Sequence, residues 1–283
     1  MIFLNVAAVL IAFREGLEAA LIVGILLSYV RRIGRADRAP LAILGVVVAV
    51  LSSAVLAVLM NRVGATLETP YEQLFEGTTM LLAVGVLTWM IFWMRYQSRF
   101  MKRELEARAQ TAISTGAGFS LFALAFLSVF REGIETALFL AANAFAADGL
   151  STLLGALLGL ACAVAAGIAI YGLAVHINLK LFFDVTSIFL VLFAAGLLAH
   201  VVHEYQEIGL LPMLMTPAWN TAAWLSNESP LGSILNSLVG YNAEPSVLEV
   251  IGYALYWVVI VLGVHWWTQH LAKRLLPPAP VRH

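Results

Sequence analysis

The sequence predicts an all-α polytopic membrane protein, with seven transmembrane helices built as two inverted three-helix repeats plus one C-terminal helix. Three observations carry this. Of 283 residues, 61% are hydrophobic and only 12% are charged, about half the charged share of soluble domains, and the mean hydropathy is +0.91. Stretches apolar and long enough to cross about 30 Å of hydrocarbon recur along the whole chain. One charged nonapeptide also occurs twice, inside two of those stretches. The composition excludes a soluble enzyme, a disordered chain and a nucleic-acid binder, because a net charge of −1 supplies no excess of cations to neutralise phosphates. The single cysteine, Cys162, excludes an internal disulfide and a thiolate metal cage.

In order, the expected spans lie near residues 4–30, 39–60, 75–94, 114–143, 149–175, 182–203 and 247–270. The first lacks a basic leader and is interrupted by Arg14, Glu15 and Glu18, so it reads as a retained span and not as a cleaved signal. The first three spans form repeat one (1–94), the next three repeat two (114–203). Residues 204–246 read as an extracytoplasmic loop, partly on the membrane surface, with Pro212, Pro217, Pro230, Pro245, Trp219 and Trp224. Together these make a single membrane domain.

Lysine and arginine positions give the orientation. Arg31, Arg32, Arg35 and Arg38 fall in one loop, and Arg95, Arg99, Lys102, Arg103 and Arg108 in the loop 95–113. Lys180 follows span five, and Lys273, Arg274 and Arg282 follow span seven. All of these share one side of a seven-span chain, and Arg62 alone lies opposite. The positive-inside rule then sets the N-terminus outside and the C-terminus in the cytoplasm. Trp89, Trp93, Trp266 and Trp267 sit toward cytoplasmic ends, as an interfacial belt would. The outer side collects Glu68, Glu72, Asp148, Glu204, Glu207, Glu228, Glu244 and Glu249. These read either as a soluble rim or as a negative mouth that concentrates cations.

The nonapeptide Phe13-Arg14-Glu15-Gly16-Leu17-Glu18-Ala19-Ala20-Leu21 recurs as Phe130-Arg131-Glu132-Gly133-Ile134-Glu135-Thr136-Ala137-Leu138. Small-residue ladders follow each copy, at Gly45, Ala49, Ser53 and Ala57 and at Gly155, Gly159, Ala163 and Gly167, a pattern that admits close helix contact. Glu76 opens span three as Asp184 opens span six. A repeat unit with an odd number of spans re-enters from the opposite face, so the halves are antiparallel and the motifs meet near midplane.

Six ionisable groups at that depth cost roughly 15–20 kcal/mol, at about 2.5–3.5 kcal/mol each. Arg14 with Glu18 and Arg131 with Glu135 have the i,i+4 spacing of helix-face pairs. That leaves Glu15 and Glu132 without a cation on their own helix. Unpaired carboxylates in low dielectric take up a proton or a cation, and a hard metal ion satisfies several at once. Gly16 and Gly133 leave room for a helix or a ligand. All-carboxylate ligation suits Fe(III), and equally Mn(II) or Ca(II). A locked pair of salt bridges and a proton relay are the alternatives, and an intramembrane metalloenzyme would further need a nucleophile that no Ser/His or Cys/His set at this depth supplies.

Two R-E-x-x-E motifs, in the first and fourth of seven spans, resemble the oxidase-dependent iron transporter family, with its bacterial EfeU-type and fungal high-affinity iron permease branches. The resemblance covers nearly the whole chain, and the short C-terminal tail fits the bacterial branch. It implies a permease moving iron across the cytoplasmic membrane, with no enzymatic activity and no cofactor, iron being the cargo. It implies iron binding by Glu15, Glu18, Glu132 and Glu135 beside Arg14 and Arg131, and an extracytoplasmic oxidase or iron-delivery partner.

Other residues are candidates for an ion relay. Glu72 and Glu76 lie at the outer mouth, Asp184 at the inner one, although Glu76 and Asp184 equally suit helix N-termini. His200 with Glu204, and His203 with Glu207, are i,i+4 pairs at the outer end of span six. His176, His265, His270 and His283 read as solvated.

Overall fold

The computed structural model describes residues 5–97, 101–114, 118–172, 179–214 and 217–275, and the described residues contain helices and turns but no strand. The helices are α1 (Val6–Arg32), α2 (Ala39–Gly64), α3 (Tyr71–Gln97), α4 (Met101–Ser114), α5 (Gly118–Ala146), α6 (Gly149–Gly172), α7 (Leu179–Glu207), α8 (Pro230–Val239) and α9 (Val247–Leu275). By length and composition, five of them qualify to cross a membrane, within α2, α3, α6, α7 and α9. α1 and α5 are as long, at 27 and 29 residues, but each carries a charged motif at its centre.

Local chemistry fixes the helix ends. The Asn5 side chain accepts from the Ala8 N–H at 3.0 Å and caps α1, while Arg31 and Arg32 occupy its last turn, where the helix dipole favours cations. Asp148 caps α6 through the Ser151 N–H at 2.7 Å. Ser246 and Glu249 form a reciprocal capping box at the start of α9: Ser246 Oγ accepts from the Glu249 N–H at 3.1 Å, and Glu249 Oε1 accepts from the Ser246 N–H at 3.3 Å.

Two stretches read as loops are partly helical. Within 95–113, α4 is amphipathic, burying Leu105 and Ala109 against α1 and α5, and Arg32 pairs with Glu106 at 2.8 Å. Within 204–246, Ser229 caps α8, and Gly240 ends it in the left-handed region at φ 68°. That glycine is required twice over, since a Cβ on Gly240 would also stand 2.2 Å from the Gly196 Cα of α7. The segment therefore folds back into the bundle and packs on α7 and α1. Gly196 lies 11 residues before the end of α7 at Glu207, so at 1.5 Å per residue the contact sits roughly 16 Å below that end.

The main helix interfaces are crossed. α1 seats on α6 and α5 on α2, while α3 pairs with α7, and α9 lies against α7. The small-residue ladders make these contacts. A Cβ on Gly155 would stand 2.6 Å from the Asn5 carbonyl, and one on Gly45 would stand 2.5 Å from the Phe122 carbonyl. Asn5 and Phe122 have the same sequence separation as Arg14 and Arg131. At the motifs themselves, Gly16 faces Ala163, and Gly133 faces Ser53, the third rung of each ladder. The motif glycines thus make room for helices, not for a ligand. The core between the helices is formed by Leu17, Leu21, Met80, Leu87, Phe139, Ala194 and Leu197, all 2% exposed or less.

Apolar side chains cover the outside. Leu51, Val55 and Val58 on α2, Val164 and Ile168 on α6, and Leu255 and Leu262 on α9 are all exposed, as suits lipid as solvent. Trp89 and Trp93 stack at 6.0 Å on an exposed face of α3, and Trp266 is likewise exposed. The side chains of Arg95, Arg99, Lys102, His176, Lys180, Trp267, His270, Lys273, Arg274, Arg282 and His283 lie outside the described residues.

Candidate metal centre

The two motifs meet where α1 and α5 pack together. Arg14 is 2% exposed and Glu15 0%, a burial that ionisable groups tolerate only when paired. One Nη of Arg14 contacts Glu15 Oε1, and the other lies 2.8 Å from Glu18 Oε1. Arg14 also donates to Met90 Sδ of α3 at 3.2 Å. In the second motif, Arg131 Nε lies 3.0 Å from Glu135 Oε1 and 3.6 Å from Glu132 Oε1.

The sequence expectation needs one correction here. Both i,i+4 pairs form, but Glu15 and Glu132 are not left without a cation on their own helix. Each arginine bridges both glutamates of its motif, because the guanidinium fork reaches its sequence neighbour as well as the residue one turn on. The charge balance is unchanged by this, with four carboxylates facing two guanidinium groups.

The surplus negative charge is concentrated. Ligand oxygens of Glu15, Glu132 and Glu135 all lie within 4.8 Å of one another, the one such group of three metal-binding side chains among the described residues. Glu15 Oε2, Glu132 Oε2 and Glu135 Oε2 are buried and have no hydrogen-bond partner there. Buried oxygens without donors are costly, and a hard cation between them removes the cost. Glu18, the fourth glutamate of the motifs, is not among these three; it pairs with Arg14 at 2.8 Å.

The motifs differ in access. Arg131 is 47% exposed at its side chain, and a cavity of about 210 Å³ joins Glu18, Arg131 and Glu132 to Ser128 on α5 and to Glu104 and Arg108 on α4. Glu104 and Arg108 pair at 2.6 Å on its wall. Sequence reasoning missed these two because it read their segment as a loop, although the Glu-x-x-x-Arg spacing of a helix was there to find.

The relay candidates form no second cluster of that kind. Glu76 is near enough to Glu72 and Glu204 to feel their charge, and Glu207 accepts from Gln73, so these acids gather at one end of α3 and α7. Asp184 is exposed at the other end of α7. His203 pairs with Glu207 at 3.2 Å as its spacing implies. His200 does not pair with Glu204; its Nδ1 bonds the Gly196 carbonyl at 3.0 Å instead, since a backbone acceptor one turn back lies within its reach. Glu249, read only as an outer acid, is buried and binds His203 Nδ1 at 3.2 Å. The S-x-x-E capping pattern at 246–249 was the signal for its burial.

A buried uncharged network lies at the end of α1 that begins with Asn5. Asn5 Nδ2 donates to Asn143 Oδ1 at 2.7 Å and to Thr152 Oγ1 at 3.1 Å, tying α1 to α5 and α6.

Among known proteins, the chain matches the Iron permease FTR1 family over residues 5–275. It is 40% identical over 250 residues to the ferrous iron permease EfeU of Yersinia pestis, covering 87% of this chain and 88% of that protein. It is 39% identical to the ferrous iron permease EfeU of Escherichia coli O6:K15:H31, over 87% of this chain and 90% of that one. No solved structure matches. With helices apolar enough to cross a membrane, relatives named as permeases and not enzymes, and a family match over nearly its whole length, this chain belongs to the FTR1 iron permease family.

Proposed function

We propose that this protein carries iron ions across the cytoplasmic membrane through a carboxylate site made by Glu15, Glu18, Glu132 and Glu135, with Arg14 and Arg131 as charge partners. The observation that carries the reading is the convergence of three carboxylate oxygens from two motif copies within 4.8 Å. In this reading all seven long helices cross the bilayer, with α1–α3 and α5–α7 as inverted repeats. The crossed seating of each motif helix on the other half's ladder supports a two-fold relation between them. The N-terminus is outside and α4 lies in the cytoplasm, as the basic residues require.

Iron gathers at the outer acids Glu72, Glu76, Glu204 and Glu207 with His200 and His203, passes to the motifs, and leaves past Asp184 or along the α4 cavity. Rocking of the repeats exposes the site to each side in turn. The arginines keep the carboxylates ionised and temper their repulsion. Iron is substrate, no cofactor takes part, and an extracytoplasmic oxidase or iron-delivery protein supplies the ion. The all-oxygen donor set favours one competing reading, a carrier of another hard cation such as Mn(II).

Purified protein in liposomes, offered Fe(II), Fe(III) and Mn(II) with a pH dye inside, tests both. Iron flux that Glu15→Gln and Glu132→Gln each cut at least tenfold is the expected result. Undiminished flux in these variants overturns the site, and Mn(II) flux without iron flux overturns the cargo.

A further inference from the structure

The cavity that reaches the motifs carries five charged groups on an otherwise mostly apolar wall. Glu18, Arg131 and Glu132 come from the motif helices, Glu104 and Arg108 from α4, and the rest of the lining is chiefly aliphatic or aromatic, as at Ile22, Trp93 and Leu105. Walls of low dielectric focus the field of such charges along the space they enclose.

Side-chain exposure orders these groups from the interior outward. Glu18 and Glu132 are at most 5% exposed, Glu104 and Arg131 are half-exposed, and Arg108 is 63% exposed. An ion that leaves the buried carboxylates by this cavity passes the Arg131 guanidinium and then the α4 pair. Arg131 is engaged by the two glutamates of its own motif. Glu104 and Arg108 have only a neighbour one helix turn away, at 2.6 Å, in the contacts described here. As a whole that pair is neutral, but its members act on a passing cation with opposite sign. Glu104 draws it forward and Arg108 turns it back. Exposed pairs of this kind are weak, so Arg108 can swing aside as the ion passes.

α4 holds the pair in place. It packs on both motif helices, α1 and α5, buries Leu105 and Ala109, and is tied to α1 by Arg32 and Glu106. These two charges therefore stand at a fixed position on the cavity wall, not on a free loop.

We propose that Glu104 and Arg108 govern release of the ion from the motifs, Glu104 lowering the electrostatic barrier along the α4 cavity and Arg108 raising it. The inference rests on the permease reading above and assigns its release step to this cavity over the path past Asp184.

The test is iron flux by the full-length protein in liposomes. Glu104→Gln leaves Arg108 unopposed and should slow flux about two- to fivefold, the scale of exposed charge pairs. Arg108→Gln leaves Glu104 unopposed and should speed it by a similar factor, and the double variant should return close to the starting rate. Opposite signs are what a purely structural pair would not give, because breaking one ion pair from either side loosens α4 alike. Both effects should shrink at about 1 M KCl, where charges are screened beyond about 3 Å. Flux that falls in both single variants, flux that changes in neither, effects that ignore salt, or a thermal midpoint lowered in both single variants each overturns the release gate. Absence of iron flux in the unsubstituted protein overturns the permease reading itself, and undiminished flux in Glu15→Gln overturns the motif site, so the failures are separable.

Discussion

At the scale of single residues, the two arginines of the repeated motif are not equivalent. Arg14 is enclosed and bridges Glu15 and Glu18, whereas half of the Arg131 side chain is exposed to the α4 cavity. Removing Arg14 strands two buried carboxylates, and breaking a buried pair costs about 3–5 kcal/mol. Arg14→Leu should therefore sharply lower thermal stability in detergent, followed by tryptophan fluorescence, while Arg131→Leu should lower it much less and act mainly on flux. Equal losses of stability would contradict this asymmetry. Most of the charged cluster was legible in the sequence, because an R-E-x-x-E run inside an apolar span carries one carboxylate more than its own arginine balances. The bridging of Glu15 by Arg14 was not legible: helix spacing rules favour i,i+4 partners, and only the packed interior closes off the alternative rotamers of a long side chain.

At the scale of elements, the seat of each motif helix is a ladder of small residues, and the nature of the facing atom decides whether a change can be compensated. A methyl on Gly133 meets the Ser53 hydroxyl, a side-chain atom, and a methyl on Gly16 meets Ala163 Cβ at 2.8 Å. Gly133→Ala should destabilise the protein and Ser53→Gly should restore it, a coupling that a double-mutant cycle on thermal midpoints reads directly. A methyl on Gly159 instead meets the Val9 carbonyl, which is backbone. Gly159→Ala should be as damaging, with no side-chain change on α1 able to rescue it. The ladders were visible in the sequence as four-residue spacings, but which helix each one served was not. Sequence neighbours would pair α1 with α2; instead each motif glycine sits against the third rung of the other ladder, Gly16 on Ala163 and Gly133 on Ser53. α4 and α8 were missed because charge and proline content mask short amphipathic helices that hold their apolar side against a bundle.

At the scale of the whole molecule, the cavity from the motifs opens toward α4, which the proposed topology places in the cytoplasm. With Cys162 replaced by alanine, Ser128→Cys on the cavity wall should react with a membrane-impermeant maleimide in inside-out vesicles and not in right-side-out ones, and Mn(II) should slow the reaction. The reverse sidedness would invert the topology. Protons compete with metal for carboxylate oxygens, so iron flux should fall as the external solution is acidified from pH 7 to pH 5, measured at fixed free metal. A flux that rises on acidification would point to proton-driven carriage. The crossed seating also bears on how the protein is made. α1 emerges from the ribosome before the other described helices, bearing three charges at its centre, yet its resting place on α6 is not synthesised until more than a hundred residues later. At about 5–20 residues per second, that helix spends on the order of ten seconds without its berth. A helix translated ahead of its partner is thus among the last to settle, and nascent chains truncated before α6 should be the ones that membrane quality control removes.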